Sequence, residues 1–109
     1  MPSSNERELL KQVMGEILKK GGVEIVHFIL FGSRARGNFT SSSDWDVMVI
    51  TRQSFSVEEK MYYSKRIREK LAQLGIDGDV LLKSESEVER DKEIPGTITR
   101  EAMKGGVPL

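Results

Sequence analysis

The chain has 109 residues, of which 31% are charged, 38% are hydrophobic and none is cysteine. This length suits one small domain, because single domains usually have roughly 50 to 250 residues, and the composition excludes collagenous, disulfide-stapled and disordered chains. The lack of cysteine excludes thiolate catalysis and cysteine-ligated zinc, and it is compatible with a cytosolic protein.

The charges of the chain balance, with 17 basic and 17 acidic side chains. Proteins that grip nucleic acid without sequence preference usually carry a net basic face, so we expect no strong binding of that kind. No apolar stretch approaches the roughly 18 residues of a membrane span, and the N-terminus lacks the pattern of a signal peptide. We therefore expect a single cytoplasmic domain over residues 1–109, with no membrane partner.

The first half of the chain predicts a helix and two strands. Apolar residues at three- and four-residue intervals indicate a helix over residues 4–20, ended by two glycines. The nearly continuous apolar run 23–31 is typical of a strand buried on both faces, and we expect its histidine, His27, to pack in the core. Residues 44–51 predict a second strand.

The second half of the chain predicts further helices and a third strand. Ser56 and Glu59 form a capping signal for a helix whose inward side includes Met61 and Ile67 and which stops at Gly75. A third strand is predicted over 76–83, a charged helix over 85–93, and a last helical turn or two over 97–104. This order predicts an α/β (α+β) fold, in which a small mixed β-sheet is flanked by helices.

Gly32 and Ser33 stand where the first predicted strand ends. Ligands of open α/β sheets gather at strand C-termini, glycine lets a phosphate approach the backbone, and Ser33 can open a short helical turn that faces an anion. Arg34 and Arg36 add two positive charges within the same few residues. Taken alone, the pair favours a simple strand-to-loop turn, because Gly-Ser is a common pair.

Asp44 and Asp46 flank Trp45 at the start of the second strand. Residues two apart share a strand face about 6.5–7 Å apart, so these carboxylates repel each other unless a cation lies between them. Hard divalent ions such as Mg²⁺ suit them, although N-capping or protection of a strand edge is the alternative. Trp45 should point to the opposite face, into the core.

Asp79 precedes a third apolar run in the same way that Asp46 precedes the second. If the two strands are neighbours, three carboxylates meet and could hold two Mg²⁺ ions about 3.5–4 Å apart, as in phosphoryl transfer. Asp77 lies on the same face two residues earlier, but it stands before Gly78, where a turn explains it.

The spacing Gly32-Ser33, ten residues, then Asp44-x-Asp46 resembles the Gly-Ser-x(10)-Asp-x-Asp signature of the DNA polymerase β-like nucleotidyltransferase superfamily. Over its full length the chain resembles a minimal nucleotidyltransferase (MNT) domain, and Ser43 and the ending 98–107 contribute to that likeness. The resemblance extends to the MNT antitoxins of MNT–HEPN toxin–antitoxin pairs.

This resemblance implies a nucleotidyltransferase fold and an activity. It implies a nucleotide-binding set that holds the phosphates of ATP or another nucleoside triphosphate: Gly32, Ser33, Arg34, Arg36 and Ser43. It also implies a catalytic, metal-binding set around Mg²⁺, in which Asp79 orients or deprotonates the acceptor hydroxyl: Asp44, Asp46 and Asp79. The reaction would move NMP, with AMP from ATP as the leading case, to an acceptor hydroxyl.

The acceptor implied by the resemblance is a helical HEPN-type partner protein. Two other functions stay open from the sequence: a non-catalytic nucleotide-binding antitoxin that acts by contact, and a subunit that recruits a substrate for a separate helical chain. A homo- or hetero-oligomer is compatible with each of them, because a chain of this size supports only one modest core.

Overall fold

The computed structural model describes residues 2–40 and 42–109, with side chains from residue 6 onward. Five helices and four strands form within these residues. In chain order they are α1 Pro2–Lys20, β1 Ile25–Phe31, α2 Ser33–Arg36, β2 Trp45–Thr51, α3 Val57–Gln73, β3 Gly78–Ser84, α4 Glu85–Asp91, α5 Ile98–Gly105 and β4 Val107–Pro108. Among the helices of the described residues, none combines the length and apolarity needed to cross a membrane.

The four strands form one mixed sheet in the order β3-β2-β1-β4. β2 and β3 run parallel, while β1 runs antiparallel to both β2 and β4. The predicted α/β architecture is confirmed. The structure also meets the condition on which the third acid depended, since β2 and β3 are neighbours. The short strand β4 was not predicted, because two residues carry no periodic pattern.

The larger core lies between one face of the sheet and helices α1 and α3. Trp45 points into it as predicted and is 3% exposed. The other buried members of this core are Leu10, Val13, Met14, Leu18, Val23, Leu30, Val47, Val49, Ile67, Leu71, Ile76, Val80 and Leu82. The opposite face carries a much smaller buried cluster, which α4 and α5 cover: Met48, Ile50, Val88 and Ala102.

Three expectations about burial are wrong. Only Leu30 of β1 is fully buried, since α4 and α5 are too short to cover the second face along the whole strand. His27 is exposed, next to an irregularity in the β1–β2 register between Ile25 and His27. Met61 is 66% exposed, because the inward stripe of α3 runs through Ile67 and Leu71.

Reciprocal capping fixes the starts of two helices. The predicted box at α3 is confirmed: the Ser56 hydroxyl accepts from the Glu59 amide at 3.1 Å, and the Glu59 carboxylate accepts from the Ser56 amide at 3.0 Å. Ser84 and Glu87 repeat the arrangement at α4. Lys60 of α3 also donates to the Glu87 carboxylate of α4 at 2.7 Å, and this ion pair connects α3 to α4.

Candidate active site

Gly32 connects β1 to the four-residue helix α2 in a conformation that other residues rarely adopt, with φ 76° and ψ −160°. A Cβ on Gly32 would overlap the Asp46 carboxylate and would lie 3.2 Å from its Cγ. Ser33 begins α2 directly behind it, as the sequence predicted for a short helical turn. The first amides of a helix lack partners inside it, so this turn presents N–H groups beside the carboxylate.

The sheet register brings the predicted acids to one end. Asp46 lies opposite Asp79 in the parallel β2–β3 pair, and it lies opposite Phe31, the residue before Gly32, in the β1–β2 pair. Asp44 stands just before β2. Asp77 precedes β3 instead, and its carbonyl accepts from the Trp45 amide at 2.9 Å, so the register places Asp79 rather than Asp77 beside Asp46.

The electrostatics of Asp46 reflect this crowding. Partial burial, then the negative charges of Asp44 and Asp79, raise the pKa of the Asp46 carboxyl, while the positive charge of Arg36 opposes them. The ionised form of Asp46 is therefore less favourable than that of a free aspartate, and a bound cation would stabilise it.

Asp79 is more open than Asp46 and has partners of its own. Its carboxylate accepts from the Val80 amide at 3.1 Å and lies 3.7 Å from the Arg68 guanidinium of α3, with both side chains about 60% exposed. Sequence reasoning missed Arg68, because it belongs to the charged face of α3 and no spacing singles it out.

Arg34 lies in a different setting from Arg36. Its side chain is only 9% exposed, with the guanidinium 4.2 Å from the Trp45 ring centroid and 4.9 Å from that of Phe39. Its Nε donates to the Ser43 carbonyl at 3.1 Å. This arrangement favours holding the loop between α2 and β2 over contact with a phosphate, whereas the exposed Arg36 stays accessible.

Ser43 also organises this loop. Its hydroxyl accepts from the Thr40 amide at 3.0 Å, and its carbonyl receives Arg34. Ser43 therefore shapes the loop that leads into Asp44, and Phe39, which sequence reasoning did not single out, covers the outer side of Arg34.

The donor set fits a hard cation, although the three acids do not converge fully. Asp44 and Asp46 supply only oxygen ligands. Partial burial and then repulsion from Asp44 and Asp79 raise the pKa of Asp46, and a divalent ion would offset the repulsion. Within residues 2–40 and 42–109, however, no three His, Asp or Glu side chains are close enough together to hold a metal ion. Asp79 would have to turn from Arg68 toward Asp46 to join the pair.

Comparison with known proteins identifies a family for this chain. Residues 10–104 match the family model described as "Nucleotidyltransferase domain", whereas no protein with curated annotation matches significantly.

Three solved structures share the fold at low identity. A protein from Sulfolobus solfataricus described as a nucleotidyltransferase has 23% identity and a TM-score of 0.56, over 80% of this chain and 77% of that one. A chain of a toxin–antitoxin complex with AMP-PNP has 15% identity and a TM-score of 0.55, over 90% and 70%.

The third is a complex of the tri-AMPylated Shewanella oneidensis HEPN toxin with its MNT antitoxin. It has 16% identity and a TM-score of 0.54, over 99% of this chain and 71% of that one. The structural matches therefore include the MNT antitoxin of HEPN toxin–antitoxin complexes. With the family model covering residues 10–104, the chain belongs to the polymerase β-like nucleotidyltransferase domain family.

Proposed function

We propose that this protein transfers AMP from ATP to a hydroxyl group of a partner protein, in the manner of an MNT antitoxin. The observation that carries the proposal is the Asp46 carboxylate, which lies against the Gly32 backbone at the end of the sheet where the register also places Asp79 and where Asp44 precedes β2. The AMP-PNP and AMPylation named for the structural relatives support the choice of nucleotide and of acceptor.

Each residue of the candidate site would have its own role in the transfer of AMP. Gly32 and Ser33 would receive the β- and γ-phosphates, and Arg36 would offset their charge. Asp44 and Asp46 would hold Mg²⁺, which when bound neutralises charge on the phosphates and aligns the leaving pyrophosphate. Asp79 would orient the acceptor hydroxyl and take its proton. Positioning and charge neutralisation supply the rate, with no covalent enzyme intermediate.

The surface beside Asp79 supports a protein acceptor. β3 is an outer strand of the sheet, and an open groove of about 630 Å³ lies between it and α3. Val57, Met61 and Tyr62 line this groove, each more than half exposed. Such a group of exposed apolar side chains beside the candidate site favours binding of a protein acceptor over binding of water or a small acceptor.

A specific observation favours a second candidate, an antitoxin that binds nucleotide and partner without chemistry. Arg68 faces Asp79, and the acids of the described residues form no ready three-ligand metal site. If this arrangement persists in the presence of nucleotide, the protein would neutralise its partner by contact alone.

The decisive experiment follows label from α-³²P-ATP with Mg²⁺ in an extract of the host. We expect label on a discrete protein with the wild type and with Asp77→Asn, and none with Asp79→Asn or with Asp44→Asn/Asp46→Asn. Asp77 is the matched control, because it is an acid of the same segment that does not face Asp46.

Two outcomes would contradict the proposal. Equal labelling by the Asp44→Asn/Asp46→Asn variant would refute the site. The absence of label, together with calorimetric binding of AMP-PNP to the wild type, would instead support the contact antitoxin.

A further inference from the structure

In the part of the chain that the structure describes, the outer edge of β1 is only half covered. β4 pairs with Ile29 and Leu30, and the Leu109 amide donates to the Phe28 carbonyl at 3.1 Å. Within the described part of the chain, no strand pairs with the outer edge of Ile25–His27. An uncovered strand edge is a template for another extended chain.

A groove of about 470 Å³ runs between this edge and α1. Its floor is apolar, with Ile25, Phe28 and Leu109 among its lining residues. Among the described residues, the charged or titratable side chains that line it are Lys11 and Lys19 of α1 and His27 of β1, and no Asp or Glu does so. The groove is therefore complementary to an extended chain that carries acidic side chains.

Gly15 provides a second and independent observation. It lies in the middle of α1, where glycine is less favourable than alanine, and it lines the same groove between Lys11 and Lys19. A Cβ on Gly15 would meet no atom within 4 Å, so packing within the described residues does not require a glycine. The missing side chain leaves space for a backbone that approaches α1 from outside.

We propose that the edge of Ile25–His27 binds an extended, acidic segment of another protein, which adds a strand to the sheet along this edge. Strand addition supplies affinity through main-chain hydrogen bonds and specificity through alternate side chains. A second copy of this chain fits poorly, because a two-fold contact would bring the lysines of both copies together. The edge lies at the opposite end of β1 from Gly32, so this proposal does not depend on the transferase activity.

The test begins with panning a random-peptide phage library on the full chain. We expect enrichment of peptides that alternate apolar residues with Asp or Glu. A synthetic, fluorescein-labelled copy of the most enriched peptide then serves as the probe in anisotropy titrations.

Lys19 and Lys20 provide a matched pair of variants. They are adjacent and exposed at the end of α1, but Lys19 lines the β1 groove whereas Lys20 lines the groove between α1 and α3. We expect Lys19→Glu to weaken binding about tenfold, because an attractive contact becomes a repulsive one, and Lys20→Glu to change it by less than about twofold. Gly15→Gln should also weaken binding while raising the thermal midpoint, since it improves the helix.

Peptides with methylated amide nitrogens test whether binding uses main-chain hydrogen bonds. Methylation of alternate amide nitrogens on one edge of the peptide should abolish binding, while methylation on the other edge should not. Any of these results would overturn the proposal: no enriched acidic peptide, equal losses with Lys19→Glu and Lys20→Glu, or tolerance of methylation on both edges. Burial of this edge in a homodimer, or displacement of the peptide by an RNA oligonucleotide, would overturn it as well.

Discussion

Two glycines on either side of α2 have the same backbone requirement but different surroundings. Gly32 and Gly37 have φ values of 76° and 83°, so a side chain at either position is strained. A Cβ at Gly37 would meet no described residue within 4 Å, whereas one at Gly32 would overlap the Asp46 carboxylate. The two positions therefore separate backbone strain from the close contact between backbone and acid.

We expect Gly37→Ala to lower the free energy of unfolding by about 1–2 kcal/mol, from the left-handed backbone alone. Gly32→Ala should lower it by about 3 kcal/mol or more, because the displaced Asp46 carboxylate adds to a conformation that is nearly confined to glycine. Urea denaturation measures both values, and equal losses would show that the contact with Asp46 is not tight.

Arg34 and Arg36 separate loop structure from site charge. Arg34 lies between two aromatic rings and donates to the Ser43 carbonyl, whereas Arg36 is exposed. We expect Arg34→Lys to lower the free energy of unfolding by about 1–2 kcal/mol, because lysine cannot reproduce the flat, stacked donor.

Arg36→Gln, its control, should change stability by less than about 0.5 kcal/mol. Amide exchange across residues 37–44 gives a second measurement, in which only Arg34→Lys should speed exchange. Faster exchange with both variants would refute the division between the two arginines.

At the scale of elements, the contact between α3 and α4 depends on an ion pair that is largely shielded from water. Lys60 and Glu87 lie 2.7 Å apart with side chains 25% and 19% exposed. Burial alone would raise the pKa of the Glu87 carboxyl, but the hydrogen bonds from Lys60 and Ser84 outweigh it and hold that pKa below its usual value.

This direction fixes the pH dependence. A carboxyl whose pKa is lower in the folded state stabilises the fold fully above its unfolded pKa, near 4.5, and loses that contribution as pH falls through the folded value. We expect Glu87→Gln to reduce the free energy of unfolding by about 1–2 kcal/mol near neutral pH, with the difference disappearing at about pH 3. Glu89→Gln, at the exposed pair with Lys92, is the control and should show almost no difference.

The sequence predicted most elements because their signals are local. Each signal spans only a few residues, as do the Ser56–Glu59 box, the apolar run before Gly32 and the acid that precedes the apolar run of each parallel strand. Burial was harder to predict, since it depends on partners far along the chain. The apolar run of β1 resembles a strand covered on both faces, yet the helices that would cover its second face, α4 and α5, have only 7 and 8 residues.

The candidate site followed the same rule. The Gly32-Ser33 pair and the acids Asp44 and Asp46 stand at a fixed spacing in the sequence. That spacing alone was enough to assign them to one candidate site. Arg68 reaches Asp79 only through the packing of α3 against β3, and no pattern within α3 indicates that contact. Arg34 illustrates the converse, because the sequence predicts a phosphate ligand at this position, whereas the two aromatic rings beside its guanidinium depend on the fold.

At the scale of the whole molecule, β2 links the two apolar clusters. Val47 and Val49 belong to the larger core, whereas Met48 and Ile50 belong to the smaller one, and all four are at most 4% exposed. Because one strand serves both faces, neither cluster can come apart without disturbing the other. We propose on this ground that residues 1–109 behave as a single cooperative domain.

Cooperative unfolding has a direct test. Urea transitions followed by far-ultraviolet circular dichroism and by the methyl resonances of each cluster should coincide within error. Val88→Ala, in the smaller cluster, should move every transition to lower urea by the same amount. A separate, earlier transition of the α4–α5 methyl groups would show that this side unfolds independently.

The position of Trp45 has a practical consequence. It is the one tryptophan of the chain, its neighbours on either side are Asp44 and Asp46, and its ring is stacked on Arg34 while its Nε1 donates to Glu6 of α1 at 3.1 Å. Its emission therefore comes from the junction of the acidic pair, the loop and the first helix. Titrations of the candidate site with nucleotide or metal can therefore use the fluorescence of this native side chain, with no added label.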